Sequence, residues 1–67
     1  MKTYVTFGQL HVHQIGNKIY DKDCVAVISG GREKVFELFG DQFCFEYPEG
    51  NWDEDEMKYY PRGYIRG

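Results

Sequence analysis

The run Cys24-Val25-Ala26-Val27-Ile28 constrains this chain most. Five consecutive apolar residues without alternation read as a strand covered on both faces, which places it inside a sheet rather than at its edge. The rest of the chain must therefore supply strands to flank it and an element to cover it.

The cover comes next in sequence. "SGGREKVFELFG", 29–40, is the one clear helix. Ser29 or Gly30 is the expected cap and Gly40 the stop. Val35, Phe36, Leu38 and Phe39 recur at helical spacing and define a buried stripe, while Glu33, Lys34 and Glu37 face solvent.

The segment before the apolar run alternates. Val5 and Phe7 share one face and Tyr4 and Thr6 the other, until Gly8, where the phase slips by one. Beyond the slip Leu10 and Val12 form the apolar face and His11 and His13 the opposite one. A glycine at such a slip marks a bulge or bend, so one long bent strand is expected from Lys2 to Gln14. Gly16-Asn17 then supplies a hairpin turn. A partner strand starts near Ile19 and Tyr20 and is interrupted by Asp21-Lys22-Asp23.

Downstream, "QFCFEY", 42–47, alternates again, with Phe43, Phe45 and Tyr47 set against Cys44 and Glu46. Pro48, Gly50 and Asn51 end this strand. "WDEDEM" suits a single helical turn with its carboxylates at the positive end. In "YYPRGYIRG" a turn at Arg62 precedes a short edge strand at Tyr64 and Ile65. The expected fold is α+β: a small β-β-α-β(-β) sandwich, one mainly antiparallel sheet with one helix on one face, in a single domain spanning 1–67.

With 67 residues, such a domain buries only about 60% of its unfolded-chain surface. Disulfides, a metal or oligomerisation are the usual supplements. Cys24 and Cys44 both fall in runs that read as buried strands. Free buried thiols are therefore expected, in keeping with a reducing cytoplasm, and a homo-oligomer is the natural supplement. Aromatic residues make up 18% of the chain. A core this small cannot hide them all, so several belong to a subunit interface or a ligand site. A net charge of −3 argues against binding extended nucleic acid, where phosphate neutralisation dominates, but allows a small nucleotide held by one or two arginines. The N-terminal "MKTYVTFGQ" lacks the apolar core of a targeting peptide, and no segment is apolar enough to span a membrane. The expectation is a soluble cytoplasmic protein.

Four constellations carry chemistry. His11 and His13, two apart on a strand, project from one face toward a common partner. As zinc ligands they need a third and fourth group, for which Asp21, Asp23 and Cys24 are candidates. The other readings are a solvated or interface-lining face and direct ligand contact. Pairing either histidine with Cys24 or Cys44 gives a minimal nucleophile-base couple, but apolar flanks make the thiols inert, and no catalytic residue or cofactor is assigned. In the C-terminal segment Tyr59, Tyr60 and Tyr64 surround Arg62, with Arg66 beyond. Tyrosines stack on bases and Arg grips phosphate, although packing of the rings on the sheet explains the same residues. Finally, Asp53, Glu54, Asp55 and Glu56 form either a solvated helix start or a mimic of a phosphate backbone.

Taken together, "YVTFGQ", "HVH", "GNK", "DKDCVAVI", "FELFG", "FCFEYPE" and "YYPRGYI" resemble a group of very small uncharacterised proteins encoded by phages and mobile elements, over nearly the whole chain. The resemblance implies a genomic context of counter-defence. Within it, the leading expectation is a non-enzymatic sponge that sequesters a small nucleotide immune signal in a pocket between subunits. His11, His13, Arg62, Tyr60 and Tyr64 would form that pocket. The alternatives are an inhibitor that binds a host defence protein through Asp53–Glu56, in the manner of an anti-CRISPR protein, and a small metal-binding protein.

Overall fold

The fold is built around the apolar run. A computed structural model describes residues 1–9 and 12–66. In it Cys24–Ser29 forms strand β4, with β1 (Lys2–Thr6) antiparallel on one side and β6 (Gly63–Arg66) parallel on the other. β5 (Phe45–Pro48) pairs antiparallel with the far side of β1, giving the sheet order β5-β1-β4-β6. Two of its three pairings are thus antiparallel, as the expected α+β class requires.

Helix α1 (Arg32–Phe39) covers one face. Its cap is Gly31, with no side-chain cap bond, rather than Ser29 or Gly30. Ser29 is the last residue of β4, and Gly30 follows it, its N–H donating to Met1 O at 2.9 Å. Gly40 ends the helix as expected. Its N–H closes the last helical bond, to Phe36 O at 2.9 Å, and its φ of 62° with ψ −125° then turns the chain out of the helix, a conformation that glycine adopts without strain.

Val5, Phe7, Cys24, Ala26, Ile28, Val35 and Phe39 make the core between helix and sheet, with Tyr20 joining them from the hairpin. Each Val, Ile and Phe side chain among them contributes about 1.5–3 kcal/mol by leaving water. Phe36 departs from the expected stripe. It is 43% exposed and packs edge-on against Phe43 with the Arg32 guanidinium over its ring. A helix of only eight residues on a narrow sheet buries little more than the Val35–Phe39 line.

The expected long strand is two strands. Gly8 takes φ 65°, a conformation open to glycine, and there the chain leaves the sheet instead of bulging within it: β1 ends at Thr6. β2 (His13–Ile15) pairs with β3 (Lys18–Tyr20) in a separate two-stranded hairpin, His13 opposite Tyr20. Its two-residue turn is Gly16-Asn17, with φ 60° at Gly16. The hairpin lies over the core, so its inward side carries His13, half-buried Ile15 and buried Tyr20, while Val12 is 63% exposed. That reverses the expected faces of Val12 and His13. Leu10 and His11 lie outside the described residues.

Cys24 is buried, as expected, but Cys44 is exposed. Strand β5 begins only at Phe45, and Cys44 sits in the bend before it, with its N–H donating to Thr6 O at 2.7 Å. After β5 the chain makes a 3₁₀ turn (Glu49–Asn51) and a 3₁₀ helix (Glu54–Tyr59), longer than the single turn expected there. No described helix is long and apolar enough to cross a membrane.

Candidate functional site

Strand alternation sends Thr3 and Val5 to the helix side of the sheet and Tyr4 and Thr6 to the other. On that second face Tyr4 lies opposite Tyr47 of β5 and Val27 of β4, and Val25 opposite Tyr64 of β6. The face is covered mainly by rings. Trp52 stacks on Tyr4 with centroids 5.4 Å apart and planes 13° from parallel. Tyr47 and Tyr60 lean on Trp52 at 5.3 and 6.3 Å, and Tyr64 tilts against Tyr4 at 5.8 Å. The Trp52 indole N–H donates to the Tyr64 hydroxyl at 3.0 Å. The aromatic surplus thus gathers on the face without the helix.

Two grooves open on this surface. One, of about 250 Å³, is lined by Lys2, Tyr4, Val27, Glu54, Tyr64 and Arg66. Lys2 and Arg66 make no salt bridge with any described residue. The other, of about 330 Å³, runs past Lys22, Cys44, Phe45, Tyr47, Tyr59 and Tyr60. Phe45 and Tyr59, 60% and 63% exposed, are its most open rings.

Electrostatics differ between positions on this face. The Tyr4 phenol is raised above its ordinary 10.0 by desolvation, then by Tyr64, Glu49 and Glu54. Tyr60 is raised by desolvation, then by Tyr47 and Glu56, with the Thr6 side chain acting in the opposite direction. Both stay neutral at physiological pH and remain hydrogen-bond donors.

The candidate residues read from sequence do not all meet. Tyr64 lines the first groove and Tyr60 the second, both on the aromatic face. His13 lies on the helix side, its ring edge-on to Phe39 at 5.5 Å and its Nδ1 3.4 Å from Gln42 Oε1. His11 is outside the described residues, so the two-histidine geometry is described for one member alone. Arg62 pairs with Asp21, Nη1 to Oδ2 at 3.0 Å, and its backbone N–H donates to Asp23 O at 2.8 Å. It lines neither groove. Asp53, Glu54, Asp55 and Glu56 are all exposed, and Asp53 caps the 3₁₀ helix by accepting from Asp55 N–H at 3.0 Å.

Cys24 does not meet His13. Its Sγ accepts from Asp21 N–H at 3.3 Å and donates to Asp21 O at 3.6 Å. Burial pushes the thiol up, and the Asp21 backbone bond only partly offsets that. Among the described residues no three His, Cys, Asp or Glu side chains converge as a metal site.

Sequence reasoning passed over Lys2, Tyr4, Tyr47 and Trp52 as site residues. The signal for Tyr4 was present, because alternation sets it opposite Val5 and Phe7. Trp52 had none, since its place depends on how the chain after β5 folds back over the sheet. Comparison with protein-family models, curated sequences and solved structures finds no match.

Proposed function

We propose that this chain is a small non-enzymatic binding protein that sequesters a nucleotide-type signal, the counter-defence role that its resemblance to small phage proteins implies. One observation carries the reading: Lys2 and Arg66, cations without a salt bridge to any described residue, share a groove with the rings of Tyr4 and Tyr64. Rings take a base by stacking and cations take phosphate, a pairing suited to a nucleotide. Glu54, at the same groove, is placed to accept from ribose hydroxyls.

Ligand pockets usually measure about 300–1,000 Å³ and bury most of their ligand. A groove of about 250 Å³ lies below that range and covers only part of such a ligand, so enclosure of the rest falls to a second subunit. This is the physical reason for proposing a homo-oligomer.

The test is a thermal-shift and calorimetric screen against cyclic dinucleotides, cyclic trinucleotides and cyclic ADP-ribose isomers. Stabilisation by at least one is expected, with loss of binding in Lys2→Ala and Arg66→Ala. A panel without any shift would end the proposal.

A second reading, direct inhibition of a host defence protein, is favoured by the exposure of all four carboxylates from Asp53 to Glu56 on one short segment. Charge reversal across these four residues would then abolish inhibition while Arg66→Ala leaves it intact, and binding would weaken steeply with salt.

A further inference from the structure

The aromatic face holds a smaller recess of opposite electrostatic character to the Lys2–Arg66 groove. It encloses about 130 Å³ between Tyr47, Asn51, Trp52, Asp53, Glu56 and Tyr60. Neither lysine nor arginine lines it. Asp53 and Glu56 make no salt bridge with any described residue.

The three rings do not stack on one another. Tyr47 meets Trp52 at 56° and Tyr60 meets Trp52 at 47°, with centroids 5.3 and 6.3 Å apart. Rings inclined at such angles are not closed on one another as a stack, and all three line the recess, so that ring faces are available as part of its wall. Those faces carry negative quadrupole charge, and two carboxylates stand at the same recess. Everything that lines it is negative, π-rich or neutral.

Such a lining selects among cations. A primary ammonium is strongly hydrated and gives up three hydrogen bonds to water on entering an aromatic recess. A methylated ammonium has spread its charge over methyl groups and has few or none to lose. Its charge is attracted by ring faces and its methyl surface is buried by them. The volume admits one such head group and is well below that of pockets for drug-sized ligands.

We propose that Tyr47, Trp52 and Tyr60, with Asp53 and Glu56, form a binding site for a quaternary or methylated ammonium group. The site is separate from the proposed nucleotide groove. The stacked Tyr4–Trp52 pair stands between them, Tyr4 lining the groove and Trp52 the recess.

Trp52 is the single tryptophan of the chain, so its emission reports on the recess directly. Choline and tetramethylammonium are titrated against the purified protein, with 3,3-dimethylbutanol as the uncharged isostere of choline and ammonium chloride as the unmethylated cation. A saturable change in emission with choline is expected, with affinity about threefold or more above that for the isostere. Glu56→Gln, with its circular dichroism unchanged, is expected to weaken choline by about two- to fivefold. Arg66→Ala, in the other groove, is expected to leave choline binding as it was. Equal affinity for choline and 3,3-dimethylbutanol would overturn the proposal, as would a choline titration without saturation.

Discussion

Trp52 and Tyr64, twelve residues apart, are joined by a 3.0 Å hydrogen bond from the indole N–H to the phenol oxygen. The bond ties the segment after β5 to the edge strand β6, across the same face on which Trp52 stacks on Tyr4. Trp52→Phe keeps a ring and removes the donor, so a loss of about 0.5–1.5 kcal/mol is expected. Trp52→Ala also removes the stacking partner of Tyr4 and is expected to cost about 2 kcal/mol or more. Urea denaturation of both variants and of Tyr64→Phe checks this. A double-mutant cycle between Trp52→Phe and Tyr64→Phe without any coupling would show the bond to be energetically idle.

Arg62 and Arg66 should separate cleanly. Arg62 is occupied by Asp21 at 3.0 Å, and both side chains are partly exposed, 39% and 28%. Pairs of this kind contribute at most about 1 kcal/mol. Arg62→Ala is therefore expected to lower stability slightly and leave ligand affinity unchanged, whereas Arg66→Ala is expected to reduce affinity with little effect on stability. Titration calorimetry with whichever nucleotide stabilises the protein decides between them, and loss of binding in Arg62→Ala would return the phosphate contact to Arg62.

The two helix phenylalanines make a matched pair. Phe39 is 2% exposed and touches Phe7, Tyr20 and His13 edge-on, while Phe36 is 43% exposed. Phe39→Ala leaves a cavity in the centre of the core and is expected to cost about 3–5 kcal/mol, enough to unfold a domain of this size. Phe36→Ala is expected to cost about 1 kcal/mol, through lost contact with Phe43 and Arg32. Thermal melts of the two proteins would contradict this if their midpoints fell together.

These residues also show how far the sequence was legible. Unbroken apolarity in 24–28 located the central strand, and Gly40 located the end of the helix, because each is a local signal with one physical cause. The Val35–Phe39 line followed from helical spacing, but spacing does not tell how wide a face the sheet covers, and so Phe36 was placed inside. The slip at Gly8 was visible, yet a slip fits either a bend within one sheet or a crossing to another. Only the seat of the hairpin over Phe39 chooses, and it turned His13 inward. The aromatic face was legible as a surplus of rings without a location, since Tyr4, Tyr47, Trp52 and Tyr60 come from three segments that meet only in the folded chain.

Gly8 itself is demanding. At φ +65° a Cβ would stand 3.2 Å from both Cβ and Sγ of Cys44, so an alanine there meets backbone strain and crowding together. Gly8→Ala is expected to destabilise by about 1–3 kcal/mol. Pairing it with Cys44→Gly, which removes the crowding atoms, should recover only the steric part. Full recovery in the double variant, read by urea midpoint, would mean that the backbone conformation costs nothing.

Stability should fall on the alkaline side. Desolvation is the leading cause that raises Cys24 above its ordinary 9.0 and Tyr20 and Tyr60 above their ordinary 10.0. All three are neutral when protonated, and in the unfolded chain they ionise near the ordinary values. Above about pH 9 the unfolded state therefore binds fewer protons than the folded one, and the free energy of unfolding decreases as pH rises. Below that pH both states hold these protons, so the three groups contribute no slope. The urea midpoint is expected to stay level from neutral pH to about pH 9 and to drop beyond it, and a midpoint that rises across that range would reverse the argument. Thiol reactivity gives a second reading of the same burial. With a chromogenic disulfide near neutral pH, exposed Cys44 is expected to react at once and Cys24 only as the protein opens, so that Cys44→Ser abolishes the fast phase while denaturant restores one thiol. A fast phase that survives Cys44→Ser would place Cys24 within reach of solvent and remove the desolvation on which the alkaline transition rests.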